Sequence, residues 1–178
     1  MTNSTSKSVP PPPRELILTT PEHLIAFGFG AGLARKAPGT FGTLVGLPFW
    51  LVLMWLPPLG YALVLTALFA FGCWVCGESS RLLGVEDHGG IVFDEIVGFL
   101  VACIPLLPAL GLVQGHGPMS LWLVPAFLLF RLFDILKPWP ISAFDRGVHG
   151  GFGIMLDDLL AGILSAAVLF AVLRYWAV

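Results

Sequence analysis

Six carboxylates stand within or at the edges of long apolar runs: Glu78, Asp94, Glu95, Asp134, Asp157 and Asp158. A charged side chain at the centre of a membrane helix costs about 2.5–3.5 kcal/mol even on the mildest scale, so each needs a reason to be there. The six come from four separate segments, and the topology set out below brings them to one depth. Carboxylates gathered in that way repel one another unless cations sit among them. Oxygen donors with no accompanying cysteine or clustered histidine set favour Mg²⁺ or Mn²⁺ over zinc. Such an ion keeps several waters, polarises a phosphoryl oxygen and can supply an activated hydroxide. The competing reading treats the acidic residues as helix-start charges that complement the macrodipole, each worth about 0.3–1 kcal/mol. That suits Asp94, Glu95, Asp157 and Asp158 singly, but not Asp134, which falls near a helix C-terminus.

Basic groups lie towards the same end of the runs: Arg35, Lys36, Arg131, Lys137, Arg146 and His149. Arg131 and Asp134 are three residues apart on one predicted helix, so they share a face and can pair. Lys137 and Arg146 also read as ordinary topological charges, whereas Arg131 sits inside the apolar run between Phe130 and Leu132. Carboxylates holding a metal beside guanidinium groups holding phosphate make a phosphoryl-transfer layout. Two glycine-rich stretches frame it. Ala37-Pro38-Gly39-Thr40-Phe41-Gly42-Thr43 offers amides and hydroxyls at a helix start, where an anion can bind, and His149-Gly150-Gly151-Phe152-Gly153 precedes Asp157. Turn chemistry explains both stretches equally well. Covalent phosphatase chemistries are not supported. No DxDxT run is present, Cys76 and Arg81 are one residue too close for a cysteine phosphate loop, and the paired-aspartate run of CDP-alcohol transferases is missing.

The elements that must position these groups are membrane helices. Of 178 residues, 57% are apolar and 11% charged, against about 45–50% and about 25% in soluble domains, too few charges to cover a water-facing surface. Five stretches, 40–56, 60–77, 91–107, 119–136 and 154–176, approach the roughly 20 residues that a bilayer core of about 30 Å demands. The expectation is therefore an all-α, polytopic membrane bundle of about five transmembrane helices. A short glycine-rich piece over 23–34 precedes them as a re-entrant or interfacial helix. Arg35 and Lys36 precede the first span, Arg81 follows the second, and Lys137 and Arg146 lie between the fourth and fifth, while 57–60 carries no charge and 108–118 only His116. The positive-inside rule then puts the carboxylate end in the cytoplasm, with Arg174 snorkelling at the far end.

Residues 1–21, with Pro10-Pro11-Pro12-Pro13, read as a disordered tail without a signal-peptide h-region, leaving 22–178 as the membrane domain. A net charge of -2 gives no basic field for nucleic acid. Cys73 and Cys76 form a CxxC, but on a membrane helix with no second pair they read as packed side chains.

Four motifs in order carry a resemblance. Ala37-Pro38-Gly39-Thr40-Phe41-Gly42-Thr43-Leu44, Phe93-Asp94-Glu95-Ile96-Val97-Gly98, Phe130 to Ile141 (FRLFDILKPWPI) and Gly151-Phe152-Gly153-Ile154-Met155-Leu156-Asp157-Asp158 together resemble the phosphatidylglycerophosphatase A family, from about residue 22 to the C-terminus. The resemblance implies a Mg²⁺-dependent enzyme of the bacterial inner membrane that removes the terminal phosphate of phosphatidylglycerophosphate, giving phosphatidylglycerol and phosphate. On this reading Asp94, Asp134, Asp157 and Asp158 are metal ligands, and Glu95 is a further ligand or the base for the attacking water. Arg131, Lys137 and Arg146 hold phosphate oxygens, and Thr40 and Thr43 donate through hydroxyl and backbone. The Ala34-Arg35-Lys36 entry is particular to this chain, so Arg35 and Lys36 are not carried over.

Two other classes compete. An ion or proton transporter would also bury carboxylates, but it needs polar groups reaching both faces, and the distal halves of these helices are almost uncharged. A lipid-binding scaffold would need neither the cluster nor a metal.

Overall fold

The computed structural model describes residues 13–114, 117–139, 141–142 and 147–176, and among them every regular element is helical. Seven α-helices lie wholly within the described residues, in order: α1 Arg14–Thr19, α2 Pro21–Ala26, α3 Pro38–Leu53, α4 Pro58–Leu83, α5 Phe93–Ala102, α6 Met119–Leu136 and α7 Gly150–Trp176. Three of them, α4, α6 and α7, are long and apolar enough to cross a membrane, and α3 is apolar but shorter. Their outward faces need lipid. Along α6, Leu121, Val124, Leu128 and Ile135 form an exposed apolar stripe that water would not tolerate at this size. Trp55 and Trp139, 76% and 82% exposed, stand at opposite ends of the bundle, where interfacial aromatics belong.

The predicted span over 91–107 is not a single helix. α5 has ten residues, roughly 15 Å or about half a bilayer core. Short 3₁₀ turns over Ile104–Leu106 and Pro108–Leu110 replace its continuation, each with a proline at its start that cannot donate to a helical ladder. Eight of its ten residues are buried, because α3, α4, α6 and α7 all pack around it. Its apolar character therefore answers to protein and not to lipid.

Glycines let the backbones approach at the centre, as small residues do between membrane helices. A Cβ at Gly98 would lie 2.6 Å from the Asp158 carbonyl, and one at Gly162 would overlap the carbonyl of Gly98. These contacts seat α5 against α7 at the level of Asp94 and Asp158. Tyr61 at the start of α4 donates its hydroxyl to the Leu100 carbonyl (2.7 Å), pinning the other end of α5.

The N-terminal region forms a short cap on the bundle. Residues 13–21, read from the sequence as tail, include α1, whose Ile17 is fully buried. The 23–34 piece is α2 followed by a 3₁₀ stretch that reverses where Phe29 and Gly30 take positive φ. Buried His23 meets the Ser79 hydroxyl (2.8 Å), and burial lowers its pKa. The Val92 N–H donates to the Ala26 carbonyl, which fixes the entry to α5.

Candidate active site

α5 begins with Phe93-Asp94-Glu95, so two carboxylates fall in its first turn. α7 presents Asp157 and Asp158 at the same level. It starts at Gly150 and not at 154, which places that pair two turns inside the helix, with no acidic residue in its first turn. The macrodipole acts only within the first turn and therefore does not account for Asp157 and Asp158.

Asp94, Glu95 and Asp158 converge. Each offers one carboxylate oxygen, and all three oxygens lie within 4.8 Å of one another. Asp158 is 2% exposed. Asp94 Oδ1, Glu95 Oε2 and Asp158 Oδ2 are buried with no hydrogen-bond partner. Buried polar atoms are ordinarily paired, so three converging carboxylates, each with an orphaned oxygen, could cradle a cation. Their all-oxygen chemistry fits a hard divalent ion.

The other two predicted ligands flank this trio, each held by a cation. Arg131 Nη1 contacts Asp134 Oδ2 at 2.5 Å and reaches Glu95 Oε1 at 3.7 Å. Nε of Arg131 is buried with no hydrogen-bond acceptor. Lys137 Nζ donates to Asp157 Oδ2 (2.5 Å), while Asp157 Oδ1 accepts the Asp158 N–H (3.1 Å). Asp134 and Asp157 are close enough for their charges to act on the trio. Glu78 does not join them: it pairs with Arg81 on its own helix at an exposed position.

The first glycine-rich motif contributes by what it lacks. A Cβ at Gly39 would overlap Glu95 Oε1 and come within 2.9 Å of Arg131 Nη1, so a side chain there would displace the ends of both. The predicted phosphate role of Thr43 is not what its hydroxyl does. It is fully buried and donates to the Gly39 carbonyl (2.8 Å), holding that turn in place. Thr40 is half-buried beside Gly39, and its N–H is taken by the Ala37 carbonyl (3.0 Å). Arg146 lies outside the described residues. Gly39→Ala is expected to cut turnover by roughly tenfold or more, since displacement of catalytic groups by about 1 Å is that costly. Steady-state assays beside Thr43→Val, which disturbs the turn without touching Glu95, would show whether the Gly39 contact matters.

Sequence reasoning passed over Glu86 and Asp87. Both line a polar cavity of about 220 Å³ that Asp157, His149 and Gly153 share, and the Asp87 charge reaches Asp94. Their place in the 78–90 connection on the carboxylate side was the available signal.

An all-helical membrane bundle with a buried anionic cradle at one end, its apolar faces turned to lipid, defines a polytopic membrane protein whose polar chemistry is confined near one interface. The sequence narrows this further. The family model for phosphatidylglycerophosphatase A matches residues 24–173, and the chain belongs to that family of phosphatases. It is 41% identical to phosphatidylglycerophosphatase A of Escherichia coli, over 90% of this chain and 88% of that protein. It is 43% identical to the Haemophilus influenzae protein of the same name, over 93% and 96%. A Bacteroides thetaiotaomicron relative named putative phosphatidylinositol-3-phosphatase is 39% identical, over 85% and 92%. No solved structure matches the chain.

Proposed function

We propose that the protein hydrolyses the terminal phosphomonoester of phosphatidylglycerophosphate with a divalent cation, Mg²⁺ or Mn²⁺, at the cytoplasmic face of the bacterial inner membrane. The observation that carries this is the Asp94–Glu95–Asp158 trio, each with an unpartnered buried oxygen, beside Arg131, which already bridges Asp134 and Glu95. A phosphomonoester would satisfy both halves at once, its oxygens taking the guanidinium donors and its charge offsetting a cation in the cradle. A cation held there would draw charge from a phosphoryl oxygen and acidify water at the site.

The residues of the chain divide the remaining work. Arg131, set by Asp134 on one side and Glu95 on the other, binds and orients the phosphate. Lys137, tied to Asp157, adds positive charge where the substrate arrives. Hydrolysis forms a bond from water oxygen to phosphorus and breaks the bond from phosphorus to the glycerol oxygen, which takes up a proton. Gly39 lets the start of α3 lie close over Glu95 and Arg131.

Orientation rests on charge. Arg35 and Lys36 before α3, Arg81 in α4 and Lys137 after α6 all belong to the carboxylate end, as cytoplasmic segments require. The name of the Bacteroides relative points to another lipid phosphomonoester, so the reaction type and the headgroup are separate claims. Phosphate release by detergent-solubilised protein tests both. Phosphatidylglycerophosphate should be cleaved with Mg²⁺ present, EDTA should stop release, and Mg²⁺ should restore it. Phosphatidylinositol 3-phosphate should be cleaved at roughly a tenth of that rate or less, if hydrogen bonds to the headgroup hydroxyls discriminate. Release that is indifferent to EDTA would remove the cation from the proposal, and equal rates on the two lipids would remove the headgroup.

A further inference from the structure

Between α4, α5 and α7 lies an apolar groove of about 410 Å³. Leu65 and Phe69 of α4, Val97 and Val101 of α5, and Leu159 and Ile163 of α7 form its walls. Its upper end adjoins the site: Leu159 directly follows Asp158, and Val97 stands one turn beyond Asp94 on the same face of α5. Its lower end reaches Pro58 and Leu110 at the opposite end of the bundle. From Phe69 back to Pro58 is eleven residues of α4, roughly 16 Å. That is about the depth of one leaflet of a 30 Å hydrocarbon core.

Polar groups along the walls are already used. Tyr61 donates to the Leu100 carbonyl (2.7 Å) and Thr66 to the Ala62 carbonyl (2.9 Å). The groove thus offers nothing to an ion, a headgroup or a water chain. What fits is a flexible, fully apolar occupant that enters from the bilayer and runs up to Val97, one turn from Asp94.

We propose that the groove receives an acyl chain of the lipid whose phosphomonoester lies at the Asp94–Glu95–Asp158 cradle, so that the enzyme reads chain length as well as headgroup. This rests on the lipid-phosphatase reading above. Bilayer chains are as apolar as the groove walls, so the groove adds no hydrophobic driving force. Its effect is positional: a chain seated along α4 sets the depth at which the phosphate meets Arg131 and the carboxylates.

The test fills the groove and varies the chain. Ala62→Trp and Thr66→Trp each place an indole in its exposed mouth, while Leu63→Trp changes the same helix on a face outside the lining. The three variants and wild type are assayed in mixed micelles on dipalmitoyl and dibutyryl phosphatidylglycerophosphate. Both groove variants should lose roughly tenfold or more in kcat/KM on the dipalmitoyl lipid and stay within about twofold of wild type on the dibutyryl lipid. The Leu63 variant should match wild type on both. Losses shared equally by the two lipids mean general damage and overturn the proposal. Wild-type kcat/KM on the dipalmitoyl lipid in both groove variants also overturns it, the groove then holding a bulk lipid or a second copy of the chain. Wild type inactive on both lipids strikes the lipid-phosphatase reading itself, an outcome distinct from either of these.

Discussion

Replacing Asp94 or Asp158 with asparagine should lower turnover by roughly 10²–10³-fold or more, the usual cost of removing one preorganised charged contact, while making the metal-free protein harder to unfold. The two effects have one cause. Three carboxylate oxygens within 4.8 Å of one another repel, when ionised, by on the order of 3 kcal/mol per pair at an effective dielectric of about 20. Asparagine keeps the shape and removes one charge, which relieves two of those pairs. A divalent cation reverses the order. At about a hundredfold excess over its dissociation constant it adds about 2.7 kcal/mol to the wild type. In a chain of this size that is a rise of roughly 5–10 °C in Tm, and the variants, with a weakened cradle, should show little of it. Thermal unfolding in detergent with EDTA and then with Mg²⁺ reads the crossover without reference to activity. Variants that turn over normally, or that gain as much Tm from Mg²⁺ as wild type does, would remove the cradle as the catalytic centre.

Much of this site was legible because charge inside an apolar run is rarely idle. Asp94, Glu95, Asp134, Asp157 and Asp158 were singled out on that ground, and the structure brings Asp94, Glu95 and Asp158 together with Asp134 and Asp157 beside them. What the run could not reveal is which side of a helix a carboxylate occupies. Glu78 belongs to the same end of the bundle, yet it turns outward to Arg81. Thr43 sits inside a motif rich in donors, but its hydroxyl serves its own helix.

The fold was legible in class and less so in detail, for a related reason. An apolar run reads the same whether lipid or protein covers it, so 91–107 passed for a span when α5 is a ten-residue core helix enclosed by its neighbours. Glycine was misread in the opposite sense. Gly150-Gly151-Phe152-Gly153 suggests a loop by propensity, yet it opens α7 because backbone must come close there: a Cβ at Gly151 would overlap the Cys73 carbonyl of α4. Tertiary contact overrides propensity at that point, and it carries Asp157 and Asp158 two turns into the helix.

Arg131 is the residue on which fold and chemistry meet, and two substitutions there should separate them. Its guanidinium lies between Asp134 and Glu95, with all three side chains only 13–15% exposed. Arg131→Ala would leave two buried carboxylates without their cation, and breaking a buried pair in that way costs about 3–5 kcal/mol. That variant should be poorly folded as well as inactive. Arg131→Lys keeps a positive charge between the carboxylates and so should retain most of the stability. It loses the planar fork, however, whose Nη1 meets both Asp134 and Glu95 and whose remaining donors would hold phosphate oxygens on the proposed reading. The lysine variant should therefore unfold within a few degrees of wild type while its kcat/KM falls by about 10²-fold, the scale of a lost charged contact in the transition state. Inorganic phosphate should also inhibit it less than it inhibits wild type. A lysine variant with undiminished kcat/KM would mean that Arg131 only neutralises its neighbours, and phosphate binding would then have to be sought at Lys137 and in the segment around it.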